Sequence, residues 1–148
     1  MIIHLCIYKY NKIKTYIIPS EVDLPKVIEQ ITNDLEYRLI LFIGDLGAGK
    51  TTSIKYFLKH LKCEDAGSSP SYSIINEYKA GDDKIYHIDL YRLEDAQEAF
   101  NLGIEDYLYS GYYCFVEWPQ IIFDYLEEPY HIFKIEIQED NSRLVTLA

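Results

Sequence analysis

The sequence predicts an α/β fold in which a mixed sheet of parallel and antiparallel strands is flanked by helices. Short apolar runs of strand character alternate with segments of helical periodicity. Several neighbouring runs are joined by turns too short for a helical crossover, so some strands must pair antiparallel. One apolar run, RLILFI, leads directly into a glycine-rich loop and then a helix-like segment.

Length and composition are typical of one globular domain. The chain has 148 residues, of which 49% are apolar, enough to bury a core. No apolar run reaches the roughly 18 residues of a membrane-spanning helix, and the first residues lack the basic start and cleavage site of a signal peptide. The three cysteines, Cys6, Cys63 and Cys114, lie far apart, which favours reduced thiols. We therefore expect one domain over residues 1–148, no membrane contact and a cytoplasmic location.

The charge balance argues against direct binding of nucleic acid. The formal net charge is −10 at pH 7 and the basic residues do not cluster. A protein that binds RNA or DNA by itself usually presents a basic face. An acidic chain can still act on nucleic acid through a partner that carries the positive charge.

The first half of the chain predicts strands at residues 2–8 and 14–19, separated by a turn-like segment. We expect the earlier run, within about residues 1–14, to form an additional N-terminal strand. Ser20 is a candidate N-cap for a helix from about Glu21 to Asp34, with Pro25 in its first turns. The apolar positions of that helix are Val22, Val27, Ile28 and Ile31.

The middle and second half continue the alternation. The run at residues 38–43 predicts a buried strand, and residues 50–61 predict a helix with one apolar face. Further strands are expected at 72–78, 84–91 and 112–118, and a helical region at 96–108 is interrupted near Gly103. A short helix at 119–126 precedes a closing hairpin of strands 131–137 and 143–147.

The loop GDLGAGKTT satisfies the phosphate-binding pattern G-x-x-x-x-G-K-[ST]. Its glycines let the backbone wrap closely around a phosphate, and the following helix directs its N-terminus at the anion. Lys50 neutralises the outer phosphates, and the hydroxyl of Thr51 can ligate Mg²⁺. The loop therefore predicts a P-loop nucleotide site, formed by Asp45, Leu46, Gly47, Ala48, Gly49, Lys50, Thr51 and Thr52.

Two carboxylates at strand ends are candidates to complete the site. A P-loop needs a second magnesium anchor, usually an aspartate that ends an apolar strand, and Asp89 fits that description. No glutamate follows Asp89, so Glu117, at the end of another apolar strand, is the best candidate to ligate magnesium, directly or through water, or to orient the attacking water. The adjacent Trp118 either borders the nucleotide or packs in the core. Lys50, Asp89 and Glu117 are thus the predicted catalytic residues, and Thr51, Asp89 and Glu117 the predicted metal ligands.

A hydroxyl-rich segment, SSPSYS, lies between the P-loop helix and the next strand. This is where a phosphate-sensing switch would lie, and Ser69, Ser71 and Ser73 supply the hydroxyls. Ordinary turn chemistry explains the same composition equally well.

The segments GDLGAGKTT, SPSYSIINEY, YHIDLYRLED, LGIEDYL and VEWP occur in one order at compact spacing. Together they resemble the bacterial TsaE (YjeE) family, the ATPase of tRNA threonylcarbamoyladenosine biosynthesis. The glycine loop alone would not identify that family, but H-x-D-x-Y-R together with V-E-W is specific. The resemblance covers roughly Thr15 to the C-terminus.

The resemblance implies a small P-loop NTPase domain that binds ATP and ADP with Mg²⁺ and hydrolyses ATP. It implies two partners, TsaB and TsaD, of which TsaD transfers a threonylcarbamoyl group to an adenosine in the anticodon loop of certain tRNAs. The tRNA would be reached through that complex. Lys50, Thr51, Asp89 and Glu117 fall on the family's Walker A, Walker B and E-W positions, and the segment SPSYS falls on its switch-like loop.

Three other function classes compete with this interpretation. A small-molecule P-loop kinase usually needs a lid and several arginines, whereas the chain has only Arg38, Arg92 and Arg143. A nucleotide-gated interaction module without significant turnover is harder to separate by sequence. A GTPase would need a guanine-reading N-K-x-D after the loop, and the only similar segment, NKIK, precedes it.

Overall fold

The computed structural model describes residues 12–66 and 73–148 of the chain. Within these residues the strands are β1 (Lys14–Ile18), β2 (Leu39–Ile43), β3 (Ile75–Ala80), β4 (Asp83–Asp89), β5 (Tyr113–Glu117), β6 (His131–Ile137) and β7 (Arg143–Leu147). The α-helices are α1 (Leu24–Asp34), α2 (Lys50–His60), α3 (Ala96–Asn101) and α4 (Glu105–Leu108), and 3₁₀ segments cover Glu21–Asp23 and Pro119–Tyr125. The strand expected at residues 2–8 lies outside the described residues.

The seven strands of the described residues form one sheet in the order β1-β7-β6-β2-β5-β4-β3. The central strands β6, β2, β5 and β4 run parallel to one another. The outer pairs β1–β7, β7–β6 and β3–β4 are antiparallel. The expectation of a mixed sheet with flanking helices is therefore confirmed, and the parallel centre brings the carboxyl ends of β2, β5 and β4 to one edge.

Side chains alternate between two apolar cores, one on each face of the sheet. On one face α1 and α2 pack on the sheet, and Phe57 of α2 lies among three phenylalanines of the strands, with contacting ring centroids 4.7 to 5.9 Å apart: Phe42, Phe115 and Phe133. On the other face α3, α4 and the second 3₁₀ segment cover Leu41, Ile88 and Val116. Because both faces of β2 are buried, its sequence is continuously apolar.

The helix expected over residues 21–34 begins later than predicted. The carboxylate of Asp23 accepts hydrogen bonds from the backbone N–H of Ser20 at 3.1 Å and from its hydroxyl at 2.9 Å, and a 3₁₀ turn precedes the α-helix. The prediction of Val22 as an apolar core position is wrong, since its side chain is 85% exposed. The tighter turn puts Val22 out of phase with the buried stripe, which starts instead at Leu24.

Two other helical segments are shaped by local backbone conformation. Gly103, with φ of +74°, separates α3 from α4, as the sequence predicts. The segment after Trp118 is a 3₁₀ helix where an ordinary short helix was expected. In residues 12–66 and 73–148 no helix has both the length and the apolar character needed to cross a bilayer.

A buried histidine holds together the edge of the sheet away from the glycine loop. His131 is 5% exposed, and its Nε2 accepts hydrogen bonds from the backbone N–H groups of Glu36 at 2.8 Å and Tyr37 at 3.2 Å. Its Nδ1 lies 3.1 Å from the carbonyl oxygen of Ala148 and donates to it. Burial lowers the pKa of His131, although the Ala148 hydrogen bond and the charge of Glu36 oppose this shift. The folded chain therefore keeps this imidazole neutral.

We expect His131 to make the chain less stable in mild acid. Below a pH of about 6.5 the unfolded chain binds a proton at this residue that the folded chain does not bind, so the free energy of unfolding falls as pH falls, by at most about 1.4 kcal/mol per pH unit. Urea unfolding between pH 7.5 and pH 5 measures the slope. His131→Gln should flatten it while lowering stability overall, and the same change at the exposed His60 should leave it unaltered. An unchanged slope in His131→Gln would contradict the assignment.

Candidate active site

The glycine-rich loop joins the end of β2 to the start of α2, in the buried centre of the sheet. Gly47 and Gly49 have φ of +80° and +113°, values that residues with a side chain rarely adopt. Gly49 caps α2, which begins at Lys50. The first N–H groups of α2 are consequently directed at the loop, where they and the positive end of the helix dipole favour an anion.

Gly44 is required for a different reason, namely close packing against β6. A Cβ atom at this position would lie 2.6 Å from the carbonyl oxygen of Ile135 and 2.9 Å from its Cγ2. A backbone oxygen of a central strand cannot move aside as a flexible side chain would. The start of the loop is therefore seated directly on the sheet.

Gly44→Ala should displace the loop and weaken nucleotide binding, with a loss of stability of roughly 1–3 kcal/mol from overpacking. Titration with a fluorescent ADP analogue and urea unfolding measure the two effects. Gly81→Ala is the matched control, because Gly81 lies in the β3–β4 turn with φ of +63° and no atom within contact of a new Cβ. That variant should lose some stability and keep its nucleotide affinity. Equal affinities in both variants would contradict the packing argument.

Lys50 is the buried cation of the loop. Its side chain is 5% exposed, and Nζ donates to the carbonyl oxygens of Gly44 and, at 3.0 Å, of Asp45. Nζ also lies 4.1 Å from the centroid of the Trp118 ring. Burial lowers the pKa of Lys50, and the nearby charges of Glu117, Asp45 and Asp89 oppose that shift. The positive charge is thus held inside the loop among acceptors.

Thr51, Glu117 and His87 form a chain of hydrogen bonds across three elements. The Thr51 hydroxyl, on the first turn of α2, donates to Oε1 of Glu117 at 2.7 Å. Oε2 of Glu117, at the end of β5, lies 2.7 Å from Nε2 of His87 on β4. Glu117 is buried and both of its oxygens are hydrogen-bonded, whereas Thr51 is exposed at the cavity. The sequence pattern predicted Glu117 but did not identify His87.

Asp89 lies next to Glu117 because the two residues are register partners at the ends of β4 and β5. Its Oδ1 accepts a hydrogen bond from the backbone N–H of Tyr91 at 3.0 Å. Burial raises the pKa of Asp89, and the charge of Glu117 adds to the effect. Two carboxylates therefore meet at one edge of the sheet, one fully buried and one half-buried.

Trp118 borders the loop. It adopts a left-handed conformation with φ of +54°, directly after Glu117, and its ring lies 5.0 Å from that of Tyr91. Backbone strain in a bulky residue is commonly found at functional sites. The cavity beside Lys50 is lined by Leu46, Gly47, Gly49, Lys50, Thr51, Thr52, Asp89, Tyr91, Glu117 and Trp118.

A second cavity opens on the other side of the loop, between the start of α1 and the β6–β7 hairpin. Its lining includes Ser20, Glu21, Thr52, Asn141 and Arg143. Nε of Arg143 donates to the carbonyl oxygen of Ala48 at 3.0 Å, which ties β7 to the loop. The sequence patterns did not identify this cavity, because its lining residues lie far apart in the chain.

The other predicted site residues are distributed around the loop. Asp45 and Leu46 are at its exposed tip, Ala48 is buried beneath it, and Thr52 contacts both cavities. Ser73 is exposed just before β3. Ser69 and Ser71 lie outside the described residues.

Comparison with known proteins identifies the family. The profile of the family described as threonylcarbamoyl adenosine biosynthesis protein TsaE matches residues 18–145. The chain belongs to the TsaE family. Curated relatives named tRNA threonylcarbamoyladenosine biosynthesis protein TsaE include one from Rickettsia felis, 33% identical over 133 residues, covering 88% of this chain and 77% of the relative. The relative from Aquifex aeolicus is 34% identical and covers 91% of this chain and 96% of its own length.

A Bacillus subtilis TsaE is 39% identical over 105 residues, covering 71% of this chain and 65% of the relative. Among solved structures, the crystal structure of YdiB from Bacillus subtilis superposes with a TM-score of 0.71 at 26% identity, covering 92% of this chain and 84% of YdiB. This TsaE-family chain therefore has the same fold as YdiB. The fold and the family predicted from the sequence are both confirmed.

Proposed function

We propose that this TsaE-family chain binds and hydrolyses ATP as a subunit required for the threonylcarbamoylation of adenosine in tRNA. The observation that carries the proposal is the meeting of Lys50, Thr51 and Glu117 at the end of β2, where a phosphate cradle, its cation and a hydroxyl–carboxylate pair are all present. The names of the TsaE relatives support the pathway.

The two cavities support a placement for the nucleotide. The phosphates would lie over the loop from Gly44 to Thr51, where backbone N–H groups and Lys50 provide the positive field. The cavity that holds Ser20, Thr52, Asn141 and Arg143 is contiguous with the loop at Gly47–Gly49 and would take the nucleoside. Its mixture of apolar walls and a few polar groups suits a base and a ribose.

The donor atoms at this edge of the sheet suit Mg²⁺. The ion prefers hard oxygen ligands and shares its coordination sphere with water and phosphate, so it does not need a complete protein cage. The Thr51 hydroxyl and the Glu117 carboxylate would hold it, with Asp89 on the neighbouring strand. When bound, magnesium neutralises negative charge that develops on the phosphates.

The half-buried Asp89 is suited to orient the water that attacks the outer phosphate. Burial raises its pKa, which makes it a better proton acceptor than an exposed aspartate. We propose that Glu117 is mainly the metal anchor, since the Thr51 hydroxyl occupies one of its oxygens. The sequence alone favoured the reverse roles, with Asp89 as the main magnesium anchor and Glu117 as a candidate to orient the water.

The proposed partners are TsaB and TsaD, and tRNA is reached through their complex. The net charge of −10 supports an indirect contact with RNA, because the basic surface must then come from a partner. We also propose a cytoplasmic location for the chain.

The function is tested by mixing the chain with TsaB, TsaD, their substrates and unmodified tRNA. Threonylcarbamoyladenosine should form over many turnovers with ATP and should stop early when a non-hydrolysable analogue replaces it. Undiminished multiple turnover with the analogue would indicate a nucleotide-gated interaction module instead. Absence of any requirement for the chain would reject the pathway.

The division between the two carboxylates gives a separate prediction. Glu117→Gln should raise the Mg²⁺ concentration needed for tight nucleotide binding by roughly 10- to 100-fold. This factor corresponds to the free energy of one hydrogen bond to a charged group. Asp89→Asn should reduce turnover by roughly 10²- to 10⁴-fold with a nearly normal Mg²⁺ requirement. Nucleotide affinity and ATP hydrolysis across a Mg²⁺ series measure both, and Asp83→Asn, an exposed change at the other end of β4, is the control. Identical Mg²⁺ curves for the two site variants would contradict the division.

A further inference from the structure

His87 is buried beside the proposed metal anchor and has no part in the function described so far. The side chains of His87 and Glu117 are only 4% and 3% exposed, and their Nε2 and Oε2 atoms lie 2.7 Å apart. A carboxylate in such a position is costly unless its oxygens accept hydrogen bonds. The Thr51 hydroxyl donates to Oε1, and Nε2 of His87 is the hydrogen-bond partner of Oε2.

An ionised Glu117 sets the direction of the second hydrogen bond. A carboxylate accepts at both oxygens, and the Thr51 hydroxyl already donates to one of them. Nε2 of His87 must therefore carry a hydrogen and donate it to Glu117. His87 and Asp89 are two residues apart on β4, so they face the same side of the sheet.

The bond restricts where the Glu117 carboxylate can lie. Without it, Oε2 would be buried with no donor, and the carboxylate would turn toward a nearby cation. Lys50 lines the same cavity and is near enough for the charge of Glu117 to raise its pKa. Such a rearrangement would remove Oε1 from Thr51 and would compete with phosphate for Lys50. His87 therefore keeps the carboxylate with the hydroxyl and away from the lysine.

We propose that His87 is a positioning residue for magnesium binding, which acts by holding Glu117 against Thr51. The proposal rests on the function proposed above, because it requires a metal at Thr51 and Glu117. Groups that fix a ligating carboxylate typically contribute 10- to 100-fold to metal affinity or activity.

The test compares His87→Ala and His87→Gln by binding of a fluorescent ADP analogue, first in EDTA and then over a Mg²⁺ titration. His87→Ala should bind the analogue in EDTA as the wild type does. It should need a roughly 10- to 100-fold higher Mg²⁺ concentration before the analogue binds tightly. Its kcat should fall with little change in KM. His87→Gln places an amide donor near the position of Nε2 and should restore most of the Mg²⁺ response.

Two controls separate positioning from a general loss of structure. His131→Gln removes another buried histidine, distant from the loop, and should lower stability without moving the Mg²⁺ curve. In a Glu117→Gln background, His87→Ala should not further raise the Mg²⁺ concentration needed for tight binding, because the carboxylate through which His87 acts is gone. If His87→Ala does not fold, ¹⁵N NMR of the wild type decides, and a hydrogen on Nδ1 with none on Nε2 would overturn the proposal.

The remaining outcomes separate a failure of the proposed metal site from a failure of the role proposed for His87. A wild type whose analogue binding is independent of Mg²⁺ would reject the proposed metal site and this proposal with it. A Mg²⁺-dependent wild type matched by His87→Ala would overturn only the role of His87. Additive losses in the double variant would also overturn it, since His87 would then act elsewhere than through Glu117.

Discussion

Replacing Lys50 by alanine is expected to abolish productive use of ATP. The phosphates lose a buried positive charge that no other group of the loop replaces, and a charge-assisted hydrogen bond is worth about 1.5–3 kcal/mol in binding. The loss of a preorganised donor to the reacting phosphate removes roughly a further 10²- to 10³-fold in turnover. Nucleotide titration and steady-state hydrolysis measure the two effects.

The matched control is Lys59→Ala, on the same helix. Lys59 is exposed and its Nζ lies 5.0 Å from the centroid of the Tyr56 ring, away from the loop. This variant should bind and hydrolyse ATP as the wild type does. Without nucleotide, the thermal midpoint of Lys50→Ala should change little, because burial already disfavours the charged amine. ATPase activity that persists in Lys50→Ala would refute the location of the site.

The second large effect concerns the partners: the isolated chain should be a poor ATPase, and TsaB with TsaD should accelerate it by roughly 10³- to 10⁵-fold. That is the usual contribution of an arginine supplied to the phosphoryl group in trans or by a rearranged loop. Arg38 donates a hydrogen bond to the carbonyl oxygen of Gly111 at the opposite end of the sheet. Arg143 donates to the carbonyl oxygen of Ala48, on the side of the loop where we propose the nucleoside. Neither arrangement directs a guanidinium at the Asp89–Glu117 side of the loop.

The surface around the loop is suited to docking. Leu46, at the tip, is 76% exposed, and Val22 and Tyr91 are large exposed apolar side chains on elements that border the two cavities. A partner that covers them would exclude water from the loop and strengthen its electrostatic interactions. Docking and completion of the site would then be coupled.

Hydrolysis should be measured for the chain alone and with both partners, for the wild type, Arg92→Ala and Arg38→Ala. Arg92 follows Asp89 by three residues in sequence, whereas Arg38 serves as the distant control. We expect the partners to stimulate ATP hydrolysis by all three proteins, and we expect a reduced rate only in Arg92→Ala. Fast hydrolysis by the isolated wild type, without gain from the partners, would indicate a self-sufficient ATPase.

Several parts of the fold could be predicted because their signals are local. The unbroken apolar run of β2 reports burial on both faces, and the interruption at Gly103 reports a left-handed residue between two helices. Whether Val22 lies on the buried face of the helix could not be predicted, since a 3₁₀ turn and the first turn of an α-helix have similar composition. The bonding of Asp23 to Ser20 decides between them.

By itself the sequence determined the family, the loop and the two carboxylates, because each depends on residues close together in the chain or in a fixed order. Only the tertiary structure decided which groups meet. Strand order puts β5 beside β2 and β4 beside β5, so that Thr51, Glu117 and His87, separated by up to 66 positions, become hydrogen-bonded neighbours. It also brings Arg143 to the loop from the last strand. Hydrogen bonds act over about 3 Å in space regardless of separation along the chain, and the parallel centre of the sheet brings these side chains within that distance.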